Sequence, residues 1–220
     1  MSELNCVVVE PRAEPRAAVI WLHGLGADGH DFEPIVPELG LEDVRFVFPH
    51  APVRPVTLNG GMPMRAWYDI AALGARIQQD VEGIRDSARL LQRLIEREHE
   101  RGLASERLVL AGFSQGGAVV LQTGLRFPER LAGIMALSTY LPLAETLEQE
   151  RHEANLEVPI FMAHGVADPV VAYDYGRASC ERLLKAGYRV EWHEYGMEHG
   201  VVMEEIRDIA AWLQSVLPPQ

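Results

Sequence analysis

The chain has 220 residues, 48% of them hydrophobic and 24% charged, enough apolar material for one core without disulfides or metals and too much for extensive disorder. The formal net charge of −12 excludes nucleic acid as a partner, because phosphate binding needs clustered Lys and Arg. The 20 basic residues, of which only Lys185 is a lysine, are scattered.

Short apolar, β-branched runs predict strands at Cys6–Val9, Ala17–Leu22 and Arg45–Phe48, with a helix at Asp31–Leu39 before the third. Between the second strand and that helix lies LHGLGADGHDF (22–32), which supports two readings. Gly24, Gly26 and Gly29 spell G-x-G-x-x-G, the spacing of a dinucleotide-binding turn. The same letters contain H-G-x-G, which aims a backbone N–H at an oxyanion. Residues 49–70, PHAPVRPVTLNGGMPMRAWYDI, are rich in Pro and Gly and read as one long irregular connection forming a wall of the site.

An amphipathic helix over Arg76–Arg101 places Ile77, Val81, Ile84, Ala88, Leu91, Leu94 and Ile95 on one face, and Gly102 stops it. Strand Arg107–Ala111 and helix Gln115–Arg126 follow, then strands Ala132–Leu137 and Pro159–Ala163. Helix Tyr173–Ala186, strand Arg189–Glu194 and helix Gly200–Val216 complete the chain. This alternation implies one α/β domain spanning 1–220, a mostly parallel sheet with helices on both faces. Only about twenty residues separate the strands ending at Leu137 and starting at Pro159, room for one short helix (Leu143–Arg151) and not for a cap domain. Cys6 and Cys180 lie outside any C-x-x-C spacing and suit free thiols. The opening MSELNCVVVEP lacks the pattern of a secretory signal, and AAVIWL (17–22) is too short to span a bilayer. The expectation is a cytoplasmic protein without stable membrane insertion.

Gly112-Phe113-Ser114-Gln115-Gly116 is G-x-S-x-G, directly after a strand and directly before a helix. That turn exposes a serine hydroxyl above the sheet, and the two glycines allow strand and helix to approach. A hydroxyl is a weak nucleophile, so a base must take its proton and an acid must orient the base. The partners are expected in the order acid, then histidine, each beyond the C-terminal end of a later strand. Asp168 in HGVAD and His199 in GMEHG occupy those places. His193, Asp174 and Glu194 fall inside predicted strands or a helix, His164 abuts its strand as a turn brace, and Glu198 faces solvent. With a serine nucleophile expected, the loop at 22–32 is settled. A dinucleotide turn needs an acid at the end of the next strand, and that strand ends in Pro49-His50. The oxyanion reading remains, with the backbone N–H groups of Leu25 and Gln115 as donors and His23 as a structural hydrogen bonder.

The sequence resembles the carboxylesterase, lysophospholipase and acyl-protein thioesterase group of small α/β-hydrolases, particularly its bacterial carboxylesterases. The likeness runs through VIWLHGLGADGHDF (19–32), FPHAP (48–52), MRAWYDI (64–70), GFSQGG (112–117), HGVADPVV (164–171) and GMEHGV (196–201). It implies the same triad and the same oxyanion donors, needs no cofactor or metal, and permits a homodimer. Tyr68 departs from the common pattern, in which Phe follows the Trp, and is expected to add a hydroxyl to the pocket wall. Leu58, Met62, Met64, Trp67 and Val170, with Leu25, are candidates to bind an acyl chain. The expected activity is hydrolysis of small-molecule or lipid esters with short-to-medium acyl chains. An acyl-protein thioesterase or lysophospholipase is the alternative, and a non-catalytic binding protein a remote one.

Overall fold

The computed structural model describes residues 4–71 and 79–218. Among the described residues nine strands form: β1 (Cys6–Val9), β2 (Ala17–Leu22), β3 (Val44–Pro49), β4 (Val53–Pro55), β5 (Pro63–Arg65), β6 (Leu108–Phe113), β7 (Gly133–Leu137), β8 (Pro159–Gly165) and β9 (Arg189–Tyr195). Seven of them make one sheet in the order β1-β3-β2-β6-β7-β8-β9. Only β1 runs antiparallel to its neighbour. This is the α/β-hydrolase fold.

Helices are α1 (Val36–Leu39), α2 (Val81–Glu100), α3 (Gln115–Gly124), α4 (Leu147–Glu150), α5 (Tyr173–Lys185) and α6 (Met203–Val216). Successive strand residues point to opposite faces, so the apolar runs split between two cores. Ala18, Ile20, Leu22, Leu108, Leu110, Ile134 and Ala136 share one core with Ile84 and Leu91 of α2, Val119 of α3 and Leu183 of α5. Val19, Trp21, Val109, Ala111, Met135 and Leu137 share the other with Leu39 of α1 and Ile209 and Trp212 of α6. Each fully buried Leu or Ile contributes about 1.5–3 kcal/mol.

Four predicted elements come out differently. The helix expected at 31–39 is a 3-10 turn (Glu33–Ile35) followed by the single turn α1. Pro34 and Pro37 lack the N–H groups a longer ladder needs. The helix expected from Arg76 begins at Val81, because Asp80 caps it: its Oδ1 accepts the Gly83 N–H at 2.9 Å. Gln79 instead bridges Ile70, and Ile77 lies outside the described residues. The stretch at 49–70 is not wholly irregular. It holds the antiparallel pair β4–β5, joined through a 3-10 turn at Thr57–Asn59 that Asp69 ties down by accepting the Thr57 N–H at 2.7 Å. The helix expected over 143–151 is a 3-10 turn (Ala144–Thr146) running into α4. Among the described residues no helix is long and apolar enough to cross a membrane.

Candidate active site

Parallel strands put their C-terminal ends on one edge, and four loops leave that edge toward one place. Ser114 follows β6, Asp168 follows β8, His199 follows β9, and the loop at 23–29 follows β2. At Ser114 the backbone adopts φ 53°, ψ −117°, a conformation L residues rarely hold. Its N–H donates to the Leu137 carbonyl at 2.8 Å, and the Thr139 hydroxyl donates to its carbonyl at 2.6 Å. The close packing behind this turn explains its glycines. A Cβ on Gly112 would lie 2.4 Å from Gly116 backbone, and one on Gly116 would lie 2.5 Å from the Leu22 carbonyl oxygen.

The three predicted side chains meet. Ser114 Oγ lies 3.0 Å from His199 Nε2, and His199 Nδ1 lies 2.6 Å from Asp168 Oδ2. The other carboxylate oxygen, Oδ1, accepts the N–H groups of Val170 and Val171 at 2.8 and 2.9 Å. Asp168 is therefore held rigidly and stays an acceptor toward the imidazole, so Nδ1 carries the proton and Nε2 is free to receive one. Phe113 packs against the His199 ring with centroids 4.7 Å apart.

None of the rivals takes the place of His199, although His164 Nε2 comes within 3.5 Å of Asp168 Oδ2. His193 lies on β9 against Phe161 and contacts Glu191 at 2.7 Å. His164 is fully buried inside β8, and its Nε2 meets the Val171 carbonyl at 2.8 Å, bracing the loop that presents Asp168. Burial lowers its pKa, so it is a neutral donor there. Glu198 is exposed.

The loop at 23–29 lies beside the serine: a Cβ on Gly24 would sit 3.5 Å from Ser114 Cβ. Among the described residues no acceptor takes the backbone N–H of Leu25 or of Gln115, the first residue of α3. Both N–H groups are thus unpaired among the described residues. The loop is anchored to the β4–β5 segment, since the Gly26 N–H donates to the Arg65 carbonyl at 2.8 Å.

The candidates for acyl contact separate. The Met64 sulfur would lie 3.8 Å from a Cβ on Gly26, placing Met64 against the oxyanion loop. Leu58 and Met62 are exposed on the β4–β5 connection, 41% and 60% accessible, and Val170 is half-buried beside Asp168. Trp67 is a correction. It is 1% accessible and its indole N–H donates to the His23 carbonyl at 2.9 Å, which makes it a core residue behind the loop instead of a pocket wall. Tyr68 is corrected likewise: it is buried, and its hydroxyl pairs with that of Tyr140 at 3.0 Å.

Sequence reading missed the side chain of Gln115. Its Oε1 accepts the Trp67 N–H at 2.8 Å and its Nε2 donates to the Tyr68 carbonyl at 2.7 Å. The residue directly after the serine thus clamps the segment carrying Trp67 and Tyr68. A buried amide next to a nucleophile is the sole signal of this in the letters. It names no partner.

A hydroxyl, an imidazole and a carboxylate in hydrogen-bonded line at this sheet edge define a serine hydrolase. The chain belongs to the phospholipase/carboxylesterase family, whose model matches residues 4–217, and it acts on carboxylic esters or thioesters. It is 41% identical over 245 residues to an acyl-protein thioesterase 1 of Mycosarcoma maydis, all of both chains being covered. Among solved structures it is similar to an acyl-protein thioesterase 2 of Zea mays, with TM-score 0.85, 30% identity and coverage of 97% of this chain and 99% of that one. It is also similar to SOBER1 of Arabidopsis thaliana, with TM-score 0.87, 31% identity and coverage of 92% and 99%.

Proposed function

We propose that this hydrolase is an acyl-protein thioesterase, releasing fatty acid from S-acylated cysteine side chains. The relatives bearing that name span the whole chain, and they favour this reading over a general carboxylesterase for short acyl chains. The chemistry is carried by the line from Ser114 through His199 to Asp168. Ser114 Oγ attacks the thioester carbonyl while His199 Nε2 takes its proton. The resulting oxyanion receives the N–H groups of Leu25 and Gln115. Collapse breaks the C–S bond, and His199 returns the proton to the departing thiolate. Water, deprotonated by His199, then attacks the acyl-serine and releases the carboxylic acid and the free hydroxyl. Asp168 steadies the imidazolium in both halves.

Purified protein is assayed on an S-palmitoylated peptide, a lysophospholipid and p-nitrophenyl esters of increasing chain length. The expected order of kcat/KM places the thioester peptide first, with Ser114→Ala inactive on all and unlabelled by a fluorophosphonate. Faster turnover of p-nitrophenyl butyrate than of the peptide would return the reading to a short-chain esterase. Full activity in Ser114→Ala would remove the serine mechanism altogether.

A further inference from the structure

His23 is 2% accessible and sits one peptide before the oxyanion loop's donor. Its two ring nitrogens have different partners. The Ala51 N–H donates to Nε2 at 3.0 Å, which makes Nε2 an acceptor and leaves the ring proton on Nδ1. Nδ1 lies 2.7 Å from the Gly24 carbonyl oxygen, so Nδ1–H donates to it. Burial pushes the His23 pKa down to about 4, so the ring is neutral at ordinary pH and this single tautomer satisfies both contacts.

The Gly24 carbonyl and the Leu25 N–H belong to the same peptide unit. In a planar trans peptide they point in opposite directions, so fixing one fixes the other. Gly24 has no side chain to restrain its ψ, and among the described residues its carbonyl has only a long second contact, from the Ala27 N–H at 3.4 Å. Rotation of this peptide would re-aim the Leu25 N–H. The structure assigns His23 as a positioning residue for the reaction: its Nδ1–H, by holding the Gly24 carbonyl, aims the Leu25 N–H at the oxyanion. This rests on the thioester-cleaving mechanism proposed above and adds a residue to it. The His23 backbone is held too, because its carbonyl accepts the Trp67 indole N–H, and the Trp67 backbone N–H donates to Gln115 Oε1.

The two nitrogens can be tested apart. Asparagine can place an amide N–H near the position of Nδ1, while glutamine can place its amide oxygen near Nε2, where it would meet Ala51. The expected result with the S-palmitoylated peptide is that His23→Ala and His23→Gln lose about 10²-fold in kcat at nearly unchanged KM, the scale of a misaimed donor. His23→Asn recovers most of that rate, although His23→Gln is the more thermally stable of the two. Wild-type kcat in His23→Gln, or equal loss in all three folded variants, overturns the assignment. A measurement on the wild type is independent of variant folding: the ring-nitrogen NMR shifts of His23 report its tautomer, and a proton on Nε2 overturns the assignment as well. Fluorophosphonate labelling of wild-type Ser114 separates this failure from failure of the serine mechanism.

Discussion

Asp168 illustrates how one side chain's surroundings set its chemical sense. Oδ1 accepts two backbone N–H groups and Oδ2 accepts the imidazole proton. An asparagine here would keep its oxygen on the two backbone donors and turn its NH2 toward His199. That forces the imidazole proton onto Nε2, where it can no longer receive one from Ser114. Asp168→Asn is therefore expected to fold with the wild-type melting profile within a few degrees yet lose about 10⁴-fold in kcat. A loss below tenfold would mean that the carboxylate does not set the tautomer. The strained backbone of Ser114 belongs to the same scale, and a conformation of this kind costs on the order of 1–3 kcal/mol. Backbone approach through Gly112 and Gly116 makes it tolerable.

Among the elements, α6 carries a liability. Glu205 in its first turn is fully buried, and among the described residues neither carboxylate oxygen has a hydrogen bond of good geometry, the Val202 N–H being its nearest backbone donor. Burial, opposed by the Val202 backbone N–H and helped a little by Asp208, raises its pKa from 4.5 to about 8. The unfolded chain ionises this group from 4.5 upward while the folded chain keeps it protonated until about 8. Stability is thus complete below 4.5 and is lost as pH climbs through that window. Glu205→Gln removes the cost, so its stability relative to wild type should rise by roughly 2–4 kcal/mol between pH 5 and pH 8. Urea unfolding at the two values checks this, and a pH-independent difference would contradict it. The element lies directly after the His199 loop, whose residues are spared from helix because α6 starts only at Met203.

For the whole molecule, the charge of −12 with scattered arginines predicts repulsion from anionic surfaces. Sedimentation with vesicles at about 0.15 M salt should show no increase in binding as phosphatidylserine replaces phosphatidylcholine. Binding that grows with anionic lipid would show a basic face hidden by the net charge. The parallel sheet is the other whole-molecule fact. Because β2, β6, β8 and β9 all point the same way, residues 23, 114, 168 and 199 come to one edge although the chain between them is long.

The alternation of apolar strands and amphipathic helices was enough to determine the parallel sheet and its two covered faces, while G-x-S-x-G after a strand, with the partner order this architecture uses, pointed to nucleophile, acid and base. Each of these depends on periodicity or on position after a strand, which are local properties. The prolines at 34 and 37 carried the signal for a short α1, which the expectation of one helix over 31–39 passed over, and the three-residue strands β4 and β5 left too brief a pattern among Pro52, Pro55 and Pro63 to be read. Tertiary structure alone decided that Trp67 and Tyr68 turn inward, that Gln115 clamps them from 47 and 48 residues away, and that His23 meets Ala51 across 28. A hydrogen bond between distant residues leaves no period in the letters. Which polar side chain answers which buried backbone group is chosen only when the two segments are packed together and water is gone.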